Sequence, residues 1–311
     1  MLTFAEKKIM NIFNFSAHFS SEEDCRNHFK CERDKIGVTC SVCGNTTHYW
    51  IKSRLSYECK NCHHRTSLRS GTIMQNSNLS FMIWYKTMFL MSVTKKGFSA
   101  KEIQKQLKLK RYEPVWFMCH KLRKAMGKRD ARYTLEGMIE MDEGYFTVSS
   151  SEIEQSQGIR GRGAVGKANT LIMAESVPLE DIETGKESKS CRYFKAKVLN
   201  THLSEEINQE VQQSIDNESI IFTDKSTSYV DIADFVELHI TEKSDKQTTK
   251  ETLRWVHITI SNAKRNLLGN YHKIKRKYLQ LYLNEFVYKL NRRYFGDKIF
   301  DRLIIANITG L

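Results

Sequence analysis

The spacing of apolar residues changes twice along the 311-residue chain, and each period predicts a different element. From residue 76 to about 130 the period is helical. "SNLSFMIWYKTMFLMSV" is apolar on nearly every side, "SAKEIQKQL" sets Ile103 and Leu107 on one inward face, and Val115, Cys119, Leu122 and Met126 recur along one stripe. Ser99 with Glu102 forms a capping box at the start of the first of two short helices, and a break follows near Leu109. Pro114 suits the first turn of the second. In "LEGMIEMDEGYFTV" the period falls to two, so Ile139 and Met141 point one way while Glu140 and Asp142 point the other. Further strands are predicted at "TLIMAES" and "CRYFKAKVL", then an amphipathic helix at "LSEEINQEVQQSI" capped by Ser204, then a buried strand "SIIFTD" that runs straight into Asp224. An Asp there is an ordinary start to a turn; it is also a way to hold a metal ligand on a rigid strand end.

Cysteine spacing adds a module ahead of these elements. Cys40 and Cys43, then Cys59 and Cys62, form two C-x2-C knuckles, with Gly44 placed for a tight turn and "HYWIKSRLSYE" between them suited to two short antiparallel strands. Four thiolates close a tetrahedral zinc site with no open position, so the metal is structural and the module is a zinc ribbon. His48, His63 and His64 are competing ligands, read instead as surface or backbone-contacting groups. Cys25, Cys31, Cys119 and Cys191 lack such spacing and are expected to be buried thiols.

Charge then separates the chain into three parts. Lys and Arg outnumber Asp and Glu by 25 to 11 in residues 1–136 and by 12 to 4 in residues 251–311, whereas acids lead by 21 to 12 in between. Basic ends of this kind favour a polyanion, nucleic acid first among them, over a merely solvated basic surface. Lys121, Arg123, Lys124 and Lys128 lie mostly off the buried stripe of the second helix, so the helix pair reads as a helix-turn-helix that meets DNA; a plain helical packing unit is the competing reading. The Gly-rich "SQGIRGRGAVGKANT" has no P-loop pattern and reads as a loop that brings Arg160, Arg162 and Lys167 to a phosphate backbone. No apolar run is long enough to cross a bilayer and the start is unlike a signal peptide, so the protein is expected to be soluble and intracellular, cytoplasmic or nucleoid-associated, nuclear in a eukaryotic host.

Several blocks occur in a distinctive order: "FSSEEDC", the ribbon, "KGFSAKEIQKQL", "EMDEGYF", "GRGAVGK", "IIFTDKSTSY", "WVHITISNAKRNLLGNYH" and "YLQLYLNEFVYKLNRR". Together, over residues 19–295, they resemble the zinc-ribbon DDE-type insertion-sequence transposases, in the branch with Asn as third active-site residue. The resemblance implies an α+β multidomain chain: zinc ribbon, helix-turn-helix, and a ribonuclease H-like, retroviral-integrase-like α/β catalytic domain with a helical C-terminal end. The expected divisions are an N-terminal helical segment 1–35, the ribbon 36–75, the helix-turn-helix 76–132 and the catalytic domain 133–311. It further implies that Asp142, Asp224 and Asn262 hold two Mg or Mn ions, cut element ends and join the 3'-hydroxyl to target DNA. Lys264, Arg265, Arg292 and Arg293 would hold phosphates, with Tyr271 and His272 as further DNA-facing groups and a solvated helix face as the competing reading. DNA, as element ends and target, is the expected partner, with a homodimer or higher oligomer on it. Glu140, Glu143, Glu251 and Glu285 are the competing carboxylates, Glu140 and Glu285 being read as structural. The alternatives are an inactive, domesticated DNA-binding relative and a ribonuclease H-like nuclease that cuts without joining.

Overall fold

A computed structural model describes residues 10–149, 166–180, 187–201, 203–243, 251–271, 274–296 and 298–310. The chain divides into two units: Met1–Met126 with Tyr294–Leu311, and Gly127–Arg293.

The first unit is a zinc ribbon among helices. Helix α1 (Ile12–His18) and helix α2 (Glu22–Ile36) precede the ribbon, and the Ser21 and Asp24 side chains box the start of α2. The ribbon strands β1 (His48–Ile51), β2 (Ser56–Cys59) and β3 (Arg65–Ser67) form an antiparallel sheet in that order, with β3 additional to the two strands expected. Arg33 of α2, buried, donates to the carbonyls of Ser67, Leu68 and Ser70, which ties the ribbon to the helix. Helix α3 (Phe81–Val93) is buried on most sides, as its largely apolar run, interrupted by the exposed Lys86, requires. The Glu22 carboxylate accepts from the Phe81 and Met82 N–H groups and so satisfies two donors at its start. Helix α4 (Ala100–Gln106) carries the expected capping box of Ser99 and Glu102. Helix α5 (Glu113–Asp130), within which the unit boundary falls, buries Val115, Cys119, Leu122 and Met126 as its stripe predicts.

The second unit is built on a mixed five-stranded sheet. Strands β4 (Met138–Thr147), β5 (Lys167–Glu180) and β6 (Glu187–Val198) are antiparallel neighbours; helix α6 (Ser204–Ser214) leads to β7 (Ile220–Asp224), which lies parallel to β4 on its other side. An edge strand that the spacing did not predict, β8 (Leu238–Glu242), continues parallel to β7, giving the order β6-β5-β4-β7-β8. Ile139 and Met141 of β4 pack with Ile207 and Val211 of α6 on one face. Helices α7 (Arg254–Asn270) and α8 (Arg276–Asn291) cover the other through Val256, Ile260, Ala263, Leu267, Leu279, Leu283 and Val287. The β4 alternation read from the sequence therefore holds, and Glu140 and Asp142 lie on the α7 side.

Four expectations are corrected. Ser204 is the first residue of α6 and not its cap, which falls on Leu203 without a side-chain bond. Cys31 is exposed, unlike Cys25, Cys119 and Cys191. Arg123 is buried, because it stands only about 40° round the helix from Cys119. Arg292 is buried too, and its reason lies in an ion pair described below. The last helix, α9 (Lys298–Thr309), read as the end of the catalytic domain, groups with the first unit, where Phe300 meets the rings of Phe15, Phe19, Tyr85 and Phe89. No helix among the described residues is long and apolar enough to cross a membrane.

Candidate functional site

In the ribbon, the two knuckles converge. The donor sulfurs of Cys40, Cys43, Cys59 and Cys62 all lie within 4.8 Å of one another, with 3.5 Å between Cys40 and Cys62 and between Cys43 and Cys59. Four sulfurs at zinc–thiolate distance sit about 3.8 Å apart in a tetrahedron, so the cluster fits zinc. The Cys62 N–H pointing at its sulfur is the main reason the Cys59 thiol is lowered to about 6, helped by the Asn61 N–H and the Asn45 amide against burial. The Cys43 and Val42 N–H groups lower Cys40 in the same way. Backbone geometry explains both: the residue after each knuckle turns through a positive φ, 73° at Gly44 and 59° at His63. His63 thus occupies the turn itself. Its Nδ1 lies 3.7 Å from a Glu58 oxygen, while His64 stands 3.5 Å from Ser41 Oγ, and neither joins the cluster.

A second constellation forms on the α7 side of the larger sheet. The parallel register pairs Glu140 with Phe222, so two residues further on Asp142 and Asp224 come level on adjacent strands and point to the same face. Strands in a sheet run about 4.8 Å apart, which sets the scale of the separation. Asp142 is half-buried. Burial is the main reason its carboxyl rises to about 7; the charges of Asp224 and Glu143 add to the rise, and the Glu143 N–H and Lys264 oppose it. Asp224 begins a turn by accepting from the Ser226 N–H at 3.2 Å. Two carboxylates on neighbouring strand ends, the charge of one raising the proton affinity of Asp142, offer hard oxygen donors to a divalent cation. Among the described residues, only the four cysteines gather three or more potential ligands as tightly as 4.8 Å.

Helix α7 is fixed against this pair by Glu140. Its Oε2 accepts from the Trp255 and Val256 N–H groups at 2.6 and 3.2 Å, so a carboxylate two residues before Asp142 caps the helix. The next residue, His257, places Nδ1 3.8 Å from Asp142 Oδ2; burial holds its imidazole below the ordinary value against the pull of Asp224. Lys264 lies two turns on, about 20° round the axis from His257. Asn262 lies about 140° from His257, across the stripe of Val256, Thr259, Ile260, Ala263 and Leu267. It is exposed, and its Oδ1 accepts from Arg265 Nη2 at 2.9 Å. The structure brings Asp142 and Asp224 together with His257 and Lys264, and the helical phase of α7 sets Asn262 on its other flank. His257 was missed in the sequence, although its seven-residue spacing from Lys264 on the flank of an amphipathic stripe was a usable signal.

The remaining candidates divide by exposure. Lys124, Lys167, Lys264 and Arg265 are exposed; Lys121 is half-buried and donates to the Gln75 carbonyl at 2.7 Å. Arg292 pairs with buried Asp130 at 2.6 Å, and its guanidinium lies 3.6 Å from the Tyr288 ring centre, so it is a packing group, which corrects its reading as a phosphate contact. Arg293 donates to the Cys191 and Leu290 carbonyls at 2.7 and 2.9 Å. The Tyr271 ring packs tilted against Tyr282, 4.4 Å between centres. Of the competing carboxylates, Glu143 accepts from Asn169 Nδ2, Glu285 is buried beside Lys289 at 3.7 Å, and Glu251 is exposed. Arg160, Arg162 and His272 lie outside the described residues.

Comparison with known families follows the same two centres. A family model described as an ISXO2-like transposase domain matches residues 134–291, and one described as a transposase zinc-ribbon domain matches residues 20–65. No curated protein matches the chain.

Proposed function

Since the chain belongs to the ISXO2-like transposase family and carries a transposase zinc ribbon, we propose that it cuts the ends of a mobile DNA element and joins the freed 3'-hydroxyl to target DNA. The observation that carries this reading is the parallel register of β4 and β7, which pairs Glu140 with Phe222 and so carries Asp142 and Asp224 out on adjacent strands two residues later. The strand order β6-β5-β4-β7-β8, antiparallel on one side of β4 and parallel on the other, supports a ribonuclease H-like domain around them. Asp142 and Asp224 would hold divalent ions, Mg or Mn, and hard cations at such a site activate a water for attack and stabilise the leaving 3'-oxygen.

The chain's own groups do the rest. Lys264 sets a positive charge beside Asp142, where a phosphate approaching the carboxylates needs one. Asn262 and Arg265 share the exposed flank of α7 and enter this reading as a DNA-side pair rather than as part of the ion site. Helices α4 and α5, in sequence and with Lys124 exposed on the second, support a helix-turn-helix that holds element ends. Partners are DNA and, for two ends to be joined in concert, a second copy of the chain.

The test supplies the full chain with labelled element-end duplex, Mg or Mn, and a plasmid target. Joined product is expected. Asp142→Asn and Asp224→Asn should each lower joining at least about a thousandfold while leaving DNA affinity within about twofold, since charge is lost and shape kept. Cut product without joining would make the protein a nuclease, and a shifted but uncut duplex under every ion condition would make it a DNA-binding relative.

A further inference from the structure

His257 is a polar ring in a place that leaves it incomplete. Its Nε2 is buried without a hydrogen-bond partner, and its Nδ1 faces Asp142 Oδ2 at 3.8 Å, beyond hydrogen-bond reach. The atom that meets Asp142 is Nδ1, at a separation too long for a direct hydrogen bond and short enough for a cation shared between the two. Two donors to one cation, each about 2.1 Å from it, lie between about 3 and 4 Å apart, and the 3.8 Å separation falls in that interval. The ring is also held firmly. Glu140 pins the N–H groups of the two residues before it, Trp255 and Val256, so His257 is fixed relative to the strand that carries Asp142.

Resting on the reading of Asp142 and Asp224 as ion ligands, we infer that His257 is the protein ligand that α7 contributes to the ion held by Asp142, in the place where the sequence suggested Asn262. Helix phase favours it. His257 and Lys264 share the flank that faces Asp142, and Asn262 stands on the opposite one, its amide oxygen already accepting from Arg265. An imidazole in an otherwise carboxylate set is a softer donor than a third carboxylate. It shifts preference from Mg toward Mn, because imidazole suits the transition metals and Mg favours oxygen.

Manganese itself is the probe, added to the full chain with its ribbon filled by zinc, which is silent in electron paramagnetic resonance. Bound Mn in the parent should show the nitrogen coupling of one imidazole in pulsed spectra, measured with and without duplex DNA. His257→Ala should abolish that coupling and weaken Mn binding roughly 10- to 100-fold, with zinc content unchanged. His257→Gln, which returns an oxygen donor, should recover part of the affinity without the coupling. Asn262→Ala should keep both. Bound Mn without nitrogen coupling in the parent, or coupling that survives His257→Ala, overturns the assignment. If Asp142→Asn abolishes Mn binding and His257→Ala leaves it unchanged, the His257 assignment alone falls. If Asp142→Asn binds Mn as the parent does, or the parent binds none in either condition, the aspartate reading falls as well.

Discussion

The zinc ribbon and the carboxylate face solve opposite problems with similar parts. In the ribbon, all four sulfurs converge within 4.8 Å and backbone N–H groups already favour the thiolate form of Cys40 and Cys59, so every donor is spent on one ion. On the sheet, the charge of Asp224 raises the proton affinity of Asp142, and His257 and Lys264 lie alongside without closing the set. A site that is complete serves folding, because no position remains for a reactant. A site that is left short of charge and ligands serves chemistry, because a cation and a phosphate can finish it. The same contrast of sealed and unfinished polar groups recurs elsewhere in the chain.

The largest effect should come from opening the sealed centre. Metal affinity of a structural zinc site is folding energy, about 10–16 kcal/mol in small zinc modules. Cys59→Ser, or removal of zinc by a chelator, should therefore unfold the ribbon: bound zinc falls below one per chain, and hydrogen-exchange protection disappears from β1 to β3. Strands β4 to β7 should keep theirs. Loss of protection across both sheets would mean that the ribbon and the larger sheet are not separately stable, and the contrast between them would lose its basis.

A smaller effect is expected where a charge read as open is in fact sealed. Arg292 pairs with Asp130, which also accepts from Tyr193 Oη at 3.0 Å and Asn291 Nδ2 at 3.2 Å. Arg292→Met should cost about 3–5 kcal/mol, the usual penalty for stranding a buried charge, seen as a fall in the denaturant midpoint. DNA affinity of the folded variant should keep its salt dependence. Lys124→Ala should do the reverse, lowering the salt slope by about 1 with no change in stability. A reduced slope for Arg292→Met would return that residue to the DNA surface.

What the sequence revealed follows the range of the interactions involved. The cysteine pairs are set by local spacing, and the alternation around Asp142 and the apolar run before Asp224 are set by strand geometry, so these positions were legible. Arg123 was misplaced by a coarse stripe: α5 also buries Met118, His120 and Ala125, and a helix buried over so much of its surface takes an arginine with it. Glu140 shows the harder limit. Its carboxylate was rightly set apart from Asp142 as structural, but its partners, the N–H groups opening α7, lie 115 and 116 residues away. No local pattern encodes that contact; the stripe of α7 sets His257 and Lys264 on one flank, but which strand that flank meets is read only from the long-range contact. Strand β8 escaped for a related reason, since "LHITE" is short, half-exposed and recognisable only by its pairing with β7.

The smallest predicted effect compares the two histidines that lie beside buried charges. His120, in α5, stacks on Trp116 at 3.8 Å between ring centres, donates through Nδ1 to the Trp116 carbonyl at 3.1 Å, and lies near the Arg123 guanidinium. Burial pushes its imidazole down to about 4, the Arg123 charge adds to the fall, and the Trp116 carbonyl partly offsets it. The folded value is below the unfolded value near 6.5, so over that interval the unfolded chain binds the extra proton. Stability is thus fully present above about pH 6.5 and declines as pH falls toward 4, by up to about 1.4 kcal/mol per pH unit. His120→Phe keeps the stacked ring and removes the proton site, so its denaturation midpoint should change less than the parent's between pH 7 and pH 5. Divalent ions should leave this difference untouched, whereas Mn should raise the stability of the parent more than that of His257→Ala. If Mn shifts the pH profile of the parent and of His257→Ala alike, the unfinished imidazole is as sealed as the other one, and the distinction between the two regions fails at its most local point.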